Sequence, residues 1–438
     1  MRNKIILFAI ALTSLVPAAQ AQTTPAEVIE TPAKAGGVYY AYPVETSLNT
    51  PAPKGYKPFY ISHYGRHGSR YLTSDKDYTR PLGKLRLAKE RGALTPYGED
   101  VLNRLEAVWG MAEGRIGELT ELGAKQHRGI SKRMYNSYPE VFAGKPEITA
   151  ASTVIMRCAH SMFAFVEGLK EIDPSLVIPR ESSQRNMVYL SYNDKKSWPC
   201  TSHDAEWYQN YRKFRHEMVK PDRLVDTLFC DSTFVRGFID PEEIAADLYY
   251  VTVGQQNLDS DITFDDLFTP EELFDLWQVA NFRFYSRNSS YPPARGLMVD
   301  NAKNLASNIL EGAEKYIAEG KNGATLRFGH DGNIIPFIAL MRLGGKATYC
   351  TNPYELYKDY SDFTICPMGA NFQMVLFKNK QGDVIAKFML NEREVPLAIE
   401  SDIYPFYRWD DVKKYFEDAI AIPSVEVMDA ALKAQAND

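Results

Sequence analysis

The sequence predicts an α/β fold, in which a sheet is flanked by helices and a mainly helical domain is inserted. Three stretches carry this prediction, because each places a short β-prone run before small residues and then a segment with helical spacing. They are FYISHYGRHGS (59–69), EITAASTVIMRCAHSMFAFVEGLK (147–170) and ATLRFGHDGNIIPFIALMRLGG (324–345). Strands that alternate with helices are typical of a sheet covered by helices.

The N-terminal segment 1–21 is typical of an export signal. Arg2 and Lys4 precede an apolar run over 5–16, and the small residues AQA that follow suit a cleavage site. We expect the mature chain to begin near Gln22 and to be periplasmic or secreted. No later segment has about 20 uninterrupted apolar residues, so we predict no membrane span.

The rest of the chain divides into a lead-in, a split domain and an insertion. Residues 22–58 are rich in Pro, Ala, Thr and Gly, which indicates an extended lead-in over the surface. Segment 197–300 has helical spacing and few strand signals, so we predict a mainly helical insertion domain. It separates the two parts of the α/β domain, 59–196 and 301–438. Within the second part, NFQMVLFKNKQGDVIAKFMLN (371–391) predicts a β-hairpin.

Charge and cysteine usage narrow the functional classes. The net charge of −6 argues against a nucleic-acid partner. In an oxidising compartment disulfides persist, and proximity along the chain predicts the pairs Cys200 with Cys230 and Cys350 with Cys366, with Cys158 free. The sequence leaves this connectivity open. No Cys/His spacing indicates zinc, and we expect neither a metal nor a cofactor.

Unusual polar residues follow each of the three predicted strands. They are Arg66, His67 and Arg70 after the first strand, Arg157 after the second, and His330 and Asp331 after the third. Ligands of open α/β sheets bind outside the carboxyl ends of the strands, and helix N-termini there offer N–H groups to an anion. We therefore expect three arginines, two histidines and one carboxylate to converge on one anion site.

Phosphate is the anion that this set of side chains fits best. The planar fork of an arginine matches two phosphate oxygens at once. Neighbouring positive charge disfavours protonation of His67, which would keep its ring neutral and nucleophilic. Asp331 is the natural proton donor to the leaving oxygen. Because arginines favour the charged form of this carboxyl, we expect activity to favour mildly acidic conditions.

These residues resemble the histidine acid phosphatases, the branch of the histidine phosphatase superfamily that includes phytases and glucose-1-phosphatases. RHGSR (66–70) matches the family's RHGxR signature, GHDGN (329–333) is similar to its HDxN motif, and LTELGAKQHRGISKRMYNSYP (119–139) resembles its LTxxGxxQ helix. The resemblance runs from about Tyr60 to Tyr415 and is weakest in the helical insertion. It implies a sheet like that of the phosphoglycerate mutases.

The resemblance also implies a role for each site residue. By this resemblance, His67 is the residue that is phosphorylated, and Asp331 protonates the leaving group and then activates a water. The phosphate-binding residues would be Arg66, Arg70, Arg157 and His330. The chain is also similar to the multiple inositol polyphosphate phosphatases, which usually carry His-Ala-Glu in the third unit. The His330–Asp331 pair favours acid phosphatases of the His-Asp type.

Four further side chains are predicted to contact substrate: Leu72, Lys76, Arg80 and Asn333. Leu72 stands where most of the family has proline, two residues after the second arginine of the signature. Lys76 and Arg80 would meet additional phosphates, although a solvated basic face explains them equally well. Asn333 matches the HDxN motif and would serve equally as a cap of the following helix.

The sequence thus predicts an exported acid phosphatase that hydrolyses small-molecule phosphate monoesters, such as inositol phosphates (phytate) or sugar phosphates. The reaction would pass through a phosphohistidine on His67, with Asp331 as proton donor. Two alternatives stay open: a phosphate or sugar-phosphate binding protein without turnover, and a mutase-type phosphotransferase. A pure binder needs neither the nucleophile nor the donor, and the export signal argues against a mutase. The preferred ester and the oligomeric state stay open.

Overall fold

The computed structural model describes residues 25–44, 48–345 and 348–435 of the chain, so the predicted export signal lies outside the described residues. Eight strands are present in this part of the chain. They are β1 Lys57–Arg66, β2 Glu147–Ser152, β3 Arg180–Ser182, β4 Gly323–Gly329, β5 Asn371–Lys378, β6 Val384–Leu390, β7 Arg393–Glu394 and β8 Phe406–Arg408.

The helices cover both faces of the sheet and form a second body beside it. In the first half of the chain they are α1 Pro25–Glu30, α2 Lys76–Glu90, α3 Pro96–Ala112, α4 Glu121–Ser137, α5 Pro139–Phe142, α6 Met156–Ile172, α7 Met187–Leu190 and α8 Glu206–Met218. The second half contains α9 Asp222–Leu228, α10 Ser232–Phe238, α11 Pro241–Gly254, α12 Pro270–Asn288, α13 Leu297–Asp300, α14 Lys303–Glu319, α15 Asp331–Leu340, α16 Asp362–Ile365, α17 Trp409–Ala421 and α18 Ser424–Gln435. In the described ranges, no helix combines the length and the apolar character that a membrane crossing requires.

Short 3-10 helices connect several of these elements. They are Pro32–Tyr39, Gln184–Asn186, Lys195–Thr201, Gln255–Asn257, Pro292–Ala294 and Leu356–Lys358.

The sheet confirms the predicted α/β fold. Its strand order is β3-β2-β4-β1-β5-β6-β7, and β8 pairs with β6. Strands β1 to β4 are parallel, whereas β5 and β6 join as an antiparallel extension. Successive residues of β1 point to opposite faces: Tyr60 and Tyr64 belong to one buried cluster together with residues of α14 and α15, and Ile61 belongs to another with residues of α4 and α6. The predicted hairpin is also confirmed, because β5 and β6 pair on either side of 379–383.

A third hydrophobic cluster, the helical core, holds the helical body together. It is built around Trp277 of α12, which is fully buried. Residues of α2 and α3, such as Leu82 and Leu105, also belong to the helical core. The helices that pack together on this side therefore come both from segment 197–300 and from the earlier segment that precedes α4.

Helix α12 begins at a fully formed capping box. The Thr269 hydroxyl accepts a hydrogen bond from the backbone N–H of Glu272 (3.2 Å), and the Glu272 carboxylate accepts one from the backbone N–H of Thr269 (2.9 Å). Pro270 occupies the first helical position, where its missing N–H costs nothing. These features fix the start of the helix that carries Trp277.

The lead-in differs from its prediction as an extended surface segment. It contains α1 and the 3-10 helix Pro32–Tyr39, and Val38 is only 1% exposed. The physical reason is the run of small residues that ends at Gly37. A Cβ atom on Gly37 would lie 2.5 Å from Oδ2 of Asp362, and the backbone φ of 55° also favours glycine. The lead-in therefore packs into the core beneath the end of β1.

The predicted disulfides are wrong, because all five cysteines are free thiols. Cys200 packs with its Sγ 3.8 Å from the carbonyl oxygen of Ala294, and Cys230 lies beside the carbonyl oxygen of Leu94. Cys366 is fully buried in the core of the sheet, whereas Cys350 packs against the helical core. For Cys350 and Cys366, proximity along the chain did not predict proximity in space, because the two residues belong to different packing units.

Candidate active site

The carboxyl ends of β1, β2 and β4 meet at one edge of the sheet. Arg66 is the last residue of β1 and pairs in register with Gly329, the last residue of β4. The backbone N–H of His67 donates to the carbonyl oxygen of Gly329 (3.0 Å), and the rings of His67 and His330 lie 5.7 Å apart. The structure brings six of the predicted site residues together here: Arg66, His67, Arg70, Arg157, His330 and Asp331.

Arg66 is held by three hydrogen bonds although it is fully buried. Its Nη1 donates to the carbonyl oxygens of Val38 (2.5 Å) and Cys366 (2.8 Å). Its Nη2 donates to Oδ2 of Asp331 at 2.8 Å and forms an ion pair with it. A buried charge needs this degree of pairing to be tolerated. The arginine therefore has one orientation, in which it links the end of β1 to the start of α15.

His67 is a buried imidazole, 1% exposed, in a positively charged surrounding. Its Nδ1 lies 3.0 Å from the carbonyl oxygen of Gly68. A carbonyl only accepts, so Nδ1 carries the hydrogen and the lone pair is on Nε2. Burial lowers the pKa of His67 well below its ordinary value, and the charges of Arg66 and Arg70 lower it further. This histidine is therefore neutral in mildly acidic solution.

His330 and Arg157 form the opposite side of the site. The His330 Nε2 lies 3.1 Å from the hydroxyl of Thr153, and its Nδ1 is 3.5 Å from Nη2 of Arg157. Burial lowers the pKa of His330 to about 4, and Arg157 contributes in the same direction. The pKa of Arg157 is itself lowered by burial and by the charge of Arg70. The guanidinium groups of Arg66, Arg70 and Arg157 gather although they repel one another, which points to an anion as their partner.

Asp331 is the first residue of α15, and its side chain is 26% exposed. Its Oδ1 accepts a hydrogen bond from the backbone N–H of Gly332 (2.7 Å). Burial raises the pKa of this carboxyl, but the guanidinium groups of Arg66 and Arg70 outweigh burial and hold the pKa at about 2. Asp331 is thus ionised beside these arginines, as predicted from the sequence.

The helix that begins with the LTELGAKQ motif fixes the loop of the RHGSR signature. The hydroxyl of Thr120 donates to the carbonyl oxygen of Ser69 (3.1 Å), and Gln126 both accepts from the Ser69 backbone N–H (2.9 Å) and donates to its hydroxyl (2.8 Å). Gly68 lies so close to Gly123 that a Cβ atom on it would be 2.5 Å from the Gly123 carbonyl oxygen. The motif therefore shapes the loop that carries Arg66, His67 and Arg70.

Three of the four additional substrate-binding predictions differ from what the structure displays. Leu72 is 2% exposed and packs in the helical core near Gly254. Arg80 forms ion pairs with Asp247 and Glu243. Asn333 is 2% exposed, donates to the carbonyl oxygen of Tyr189 (3.1 Å) and does not cap α15. Each of these side chains is already engaged within the protein. Lys76 and Arg80 are both exposed, and of the two it is Arg80 that forms ion pairs.

Sequence reasoning missed two arginines of α12 that extend the positive charge. Arg70 lies over the ring of Tyr39 (5.1 Å), Tyr39 contacts Tyr250 (5.9 Å between centroids), and Arg283 donates to the hydroxyl of Tyr250 (3.2 Å). Arg287 follows one turn later. Burial and Arg283 lower the pKa of Arg287, while the carboxylate of Asp331 raises it, which reflects its proximity to the site. The four-residue spacing on one helix was the only sequence signal.

In the part of the chain that the structure describes, no group of three or more His, Cys, Asp or Glu side chains is arranged to hold a metal ion.

The chain is similar to known proteins in sequence and in fold. The chain is 23% identical over 399 residues to multiple inositol polyphosphate phosphatase 1 of Gallus gallus, which covers 84% of this chain and 83% of that protein. The multiple inositol polyphosphate phosphatase of Bifidobacterium longum, solved in complex with inositol hexasulfate, superimposes with a TM-score of 0.66 at 19% identity, covering 87% of this chain and 97% of that chain. The phytase from D. castellii superimposes with a TM-score of 0.64 at 16% identity, covering 93% and 90%.

The family is established by the sequence match itself. Residues 65–391, more than half of the chain, match the profile of the histidine phosphatase superfamily, branch 2. This range begins one residue before Arg66 and includes all six of the clustered residues. The solved structures share the fold that positions them. The chain is a hydrolase that belongs to branch 2 of the histidine phosphatase superfamily.

Proposed function

We propose that this protein is an exported acid phosphatase that hydrolyses inositol polyphosphates through a phosphohistidine on His67. The observation that carries this proposal is the state of His67: a buried, neutral imidazole among Arg66, Arg70 and Arg157. A neutral ring offers the lone pair that attack on phosphorus requires. The surrounding guanidinium groups match the charge that develops on the phosphoryl oxygens.

The first step transfers the phosphoryl group to the histidine. The Nε2 lone pair of His67 forms a bond to phosphorus as the bond from phosphorus to the ester oxygen breaks. Asp331 gives its proton to the leaving oxygen, so the alcohol departs neutral. In the second step a water gives a proton to Asp331 and its oxygen attacks phosphorus, which breaks the P–N bond and releases inorganic phosphate. His67 and Asp331 return to their starting states.

The proton on Asp331 is available only when an anion has bound. The arginines by themselves hold the pKa of this carboxyl at about 2. A bound phosphate offsets their charge and adds negative charge of its own, so the pKa of Asp331 rises. Activity therefore falls as the pH rises and Asp331 loses its proton. His67 tolerates acid because its own pKa is far below the ordinary value.

Charge beyond the phosphate site supports a polyphosphorylated substrate. Arg283 and Arg287 lie near the site and have no ion-pair partner among the described residues. Arg66, Arg70 and Arg157 bind one phosphate group. The two arginines of α12 are therefore available to bind further anionic groups of the same substrate. The names of the relatives in Gallus gallus and Bifidobacterium longum support inositol polyphosphates as the class.

Export is proposed from the sequence alone. The charged start, the apolar run and the small residues within 1–21 are those of a signal peptide that is removed near Gln22. A periplasmic or secreted enzyme would meet phosphate esters of the surroundings. Mass spectrometry of the N-terminus of protein recovered outside the cytoplasm tests this point, and an intact Met1 would contradict it.

The nucleophile is tested with His67→Ala. We expect hydrolysis of p-nitrophenyl phosphate at pH 5 to fall at least about 10⁴-fold, because no covalent intermediate can form. The matched control is His160→Ala, which alters an exposed histidine on α6 and should change the rate less than about twofold. Full activity of the His67 variant would contradict the mechanism.

A panel of phytate, glucose phosphates and nucleotides tests the substrate class. The phosphate released from each compound is measured.

The proton donor is tested with Asp331→Asn. The amide keeps the shape of the side chain and cannot donate the proton, so the loss should depend on the leaving group. We expect the rate to fall about 10²- to 10⁴-fold for an alkyl phosphate and much less for p-nitrophenyl phosphate, which leaves without help. Equal losses for both esters would argue against Asp331 as the donor.

A further inference from the structure

A buried carboxylate outside the candidate active site has no role in the chemistry described above. Asp362 is fully buried, and among the residues that the structure describes it forms no ion pair. Its two oxygens accept neutral N–H donors: Oδ2 from the backbone of Val38 (3.2 Å) and Oδ1 from the indole Nε1 of Trp277 (3.0 Å). Burial raises the pKa of Asp362 to about 6. Burying a carboxylate without an ion-pair partner costs folding free energy. The contacts of Asp362 therefore suggest a role.

Both backbone acceptors of Arg66 are tied to Asp362. The Nη1 group of Arg66 donates to the carbonyl oxygens of Val38 and Cys366. The N–H of Val38 donates to the Asp362 side chain, and the N–H of Cys366 donates to the Asp362 carbonyl oxygen (2.7 Å). One residue therefore fixes the two chain segments that orient the Arg66 guanidinium. The other end of this guanidinium is paired with Asp331.

Asp362 is itself held by helix α12. Trp277 and Asn281 lie one turn apart on this helix, and the Asn281 side chain accepts from the Asp362 backbone N–H (3.0 Å). The same Asn281 side chain donates to the carbonyl oxygen of Tyr360 (2.9 Å). Both Trp277 and Asn281 are buried. A continuous set of hydrogen bonds thus runs from the helical body through Asp362 to Arg66.

We propose that Asp362 is a positioning residue for phosphate ester hydrolysis, which holds Val38 and Cys366 so that Arg66 stays aligned with Asp331. The inference rests on the proposed function, in which Asp331 is the proton donor. Without the carboxylate, the N–H of Val38 loses its acceptor, and the backbone of Asp362 that holds Cys366 loses its tie to Trp277, so Arg66 gains freedom. The Asp331 carboxyl then loses its alignment with the leaving oxygen. Trp277, more than 200 residues from Arg66 in the sequence, takes part through the same anchor.

The ratio of rates for two leaving groups isolates this role. An alkyl ester such as glycerol phosphate needs the proton from Asp331, whereas p-nitrophenyl phosphate needs it much less. A loss of folded protein lowers both rates by the same factor and leaves their ratio unchanged. A displaced donor lowers the alkyl rate more. The ratio of the two kcat/KM values therefore separates positioning from stability.

The test compares Asp362→Asn with a matched control, Asp247→Asn. The amide of the first variant has one acceptor oxygen for the two N–H groups of Val38 and Trp277, so one contact is lost. Asp247 is also buried, 4% exposed, but its partner is Arg80. We expect the alkyl-to-aryl ratio to fall about tenfold in Asp362→Asn and to stay within about twofold of the natural protein in Asp247→Asn. An unchanged ratio in folded Asp362→Asn would overturn the proposal.

Trp277→Phe provides a second route if Asp362→Asn does not fold. It removes the indole N–H that donates to Asp362, together with part of the indole ring, and keeps an aromatic ring in the helical core. We expect the ratio to fall about threefold, and a ratio equal to that of the natural protein would overturn the proposal. If the natural protein hydrolysed neither ester, the proposed function itself would fail. If it hydrolysed both and no variant changed the ratio, only the role of Asp362 would fail.

Discussion

Two groups of arginines in this molecule differ in what balances their charge. In the helical body, Arg80, Arg104 and Arg223 each form an ion pair with a carboxylate. These carboxylates are Asp247, Asp266 and Glu272, in the same order. At the carboxyl edge of the sheet, Arg70 and Arg157 have no carboxylate at ion-pair distance within the described ranges, although Arg70 is 6% exposed and Arg157 is partly buried.

The presence or absence of an ion-pair partner separates arginines that stabilise the fold from arginines that are available to bind a ligand. A buried charge without a partner destabilises a protein, so such a charge persists where a bound group supplies the opposite sign. The sequence offered Arg80 as a contact for additional phosphates, with a solvated basic face as an equal alternative. The engagement of Arg80 with Asp247 and Glu243 places it in the first group instead. The following predictions test whether arginines without an ion-pair partner act in catalysis and paired arginines act in stability. They are given from the largest expected effect to the smallest.

The largest effect is expected for Arg157→Ala. The loss of one guanidinium from the phosphate site should lower kcat/KM about 10²- to 10³-fold and weaken inhibition by inorganic phosphate. The free energy of unfolding should stay the same or rise by about 1 kcal/mol, because an unpaired charge is removed from a partly buried place. Steady-state kinetics and urea unfolding measure the two quantities. A large loss of stability with little loss of activity would show that Arg157 belongs to the first group.

A smaller effect concerns a basic group that burial alone keeps neutral. His127 of α4 is fully buried against Phe165 and Phe328, and burial lowers its pKa from 6.5 to about 4. Between these pH values the unfolded chain binds a proton that the folded chain does not, so the natural protein loses stability as the pH falls from 6.5 to 4. Because leucine binds no proton, we expect the unfolding free energy of His127→Leu to fall by about 3 kcal/mol less than that of the natural protein over this pH range.

Urea unfolding of the two proteins at pH 7 and pH 4.5 measures this difference. The gap between their unfolding free energies should change in favour of the variant at the lower pH. Parallel pH dependences would mean that His127 takes up its proton with equal ease in the folded and unfolded states.

The smallest effect on catalysis is expected for Arg80→Ala. Hydrolysis rates should change less than about twofold, because this arginine is engaged with carboxylates of α11. The stability should fall by about 1–3 kcal/mol, since Asp247 would be left buried without its partner. Thermal unfolding together with kinetics on phytate would check both parts. A marked rise in KM for phytate, with KM for p-nitrophenyl phosphate unchanged, would return Arg80 to the substrate site.

Prediction from the sequence worked where a residue's place follows from a strand and the turn after it. The parallel strands β1, β2 and β4 end at one edge, so Arg66, Arg157 and His330 had to come near one another once the sheet was inferred. The hairpin of β5 and β6 was predictable for the same reason, because alternation and a glycine-containing turn are local signals. These parts depend on periodicity and on short-range geometry.

Prediction failed where a residue's role depends on what packs against it. The sequence around Leu72 does not show that its side chain packs against Gly254 of α11. The sequence around Arg80 does not show that this arginine pairs with Asp247. The lead-in was misjudged because its composition suits a surface segment, while its small residues in fact permit close packing against Asp362. The pair of Cys350 and Cys366 was misjudged because these neighbours in the chain pack against different cores.

The sequence by itself determined which chemical groups reach the carboxyl edge of the sheet, because strand periodicity and the turn residues of RHGSR and GHDGN set their positions. Only the tertiary structure decided which of the basic groups keep an unbalanced charge. That outcome depends on carboxylates contributed by distant helices, as with Arg80, and on the lack of a carboxylate at ion-pair distance from Arg70 and Arg157 among the described residues. The physical reason is that electrostatic pairing depends on distance in space, which the order of residues along the chain does not specify.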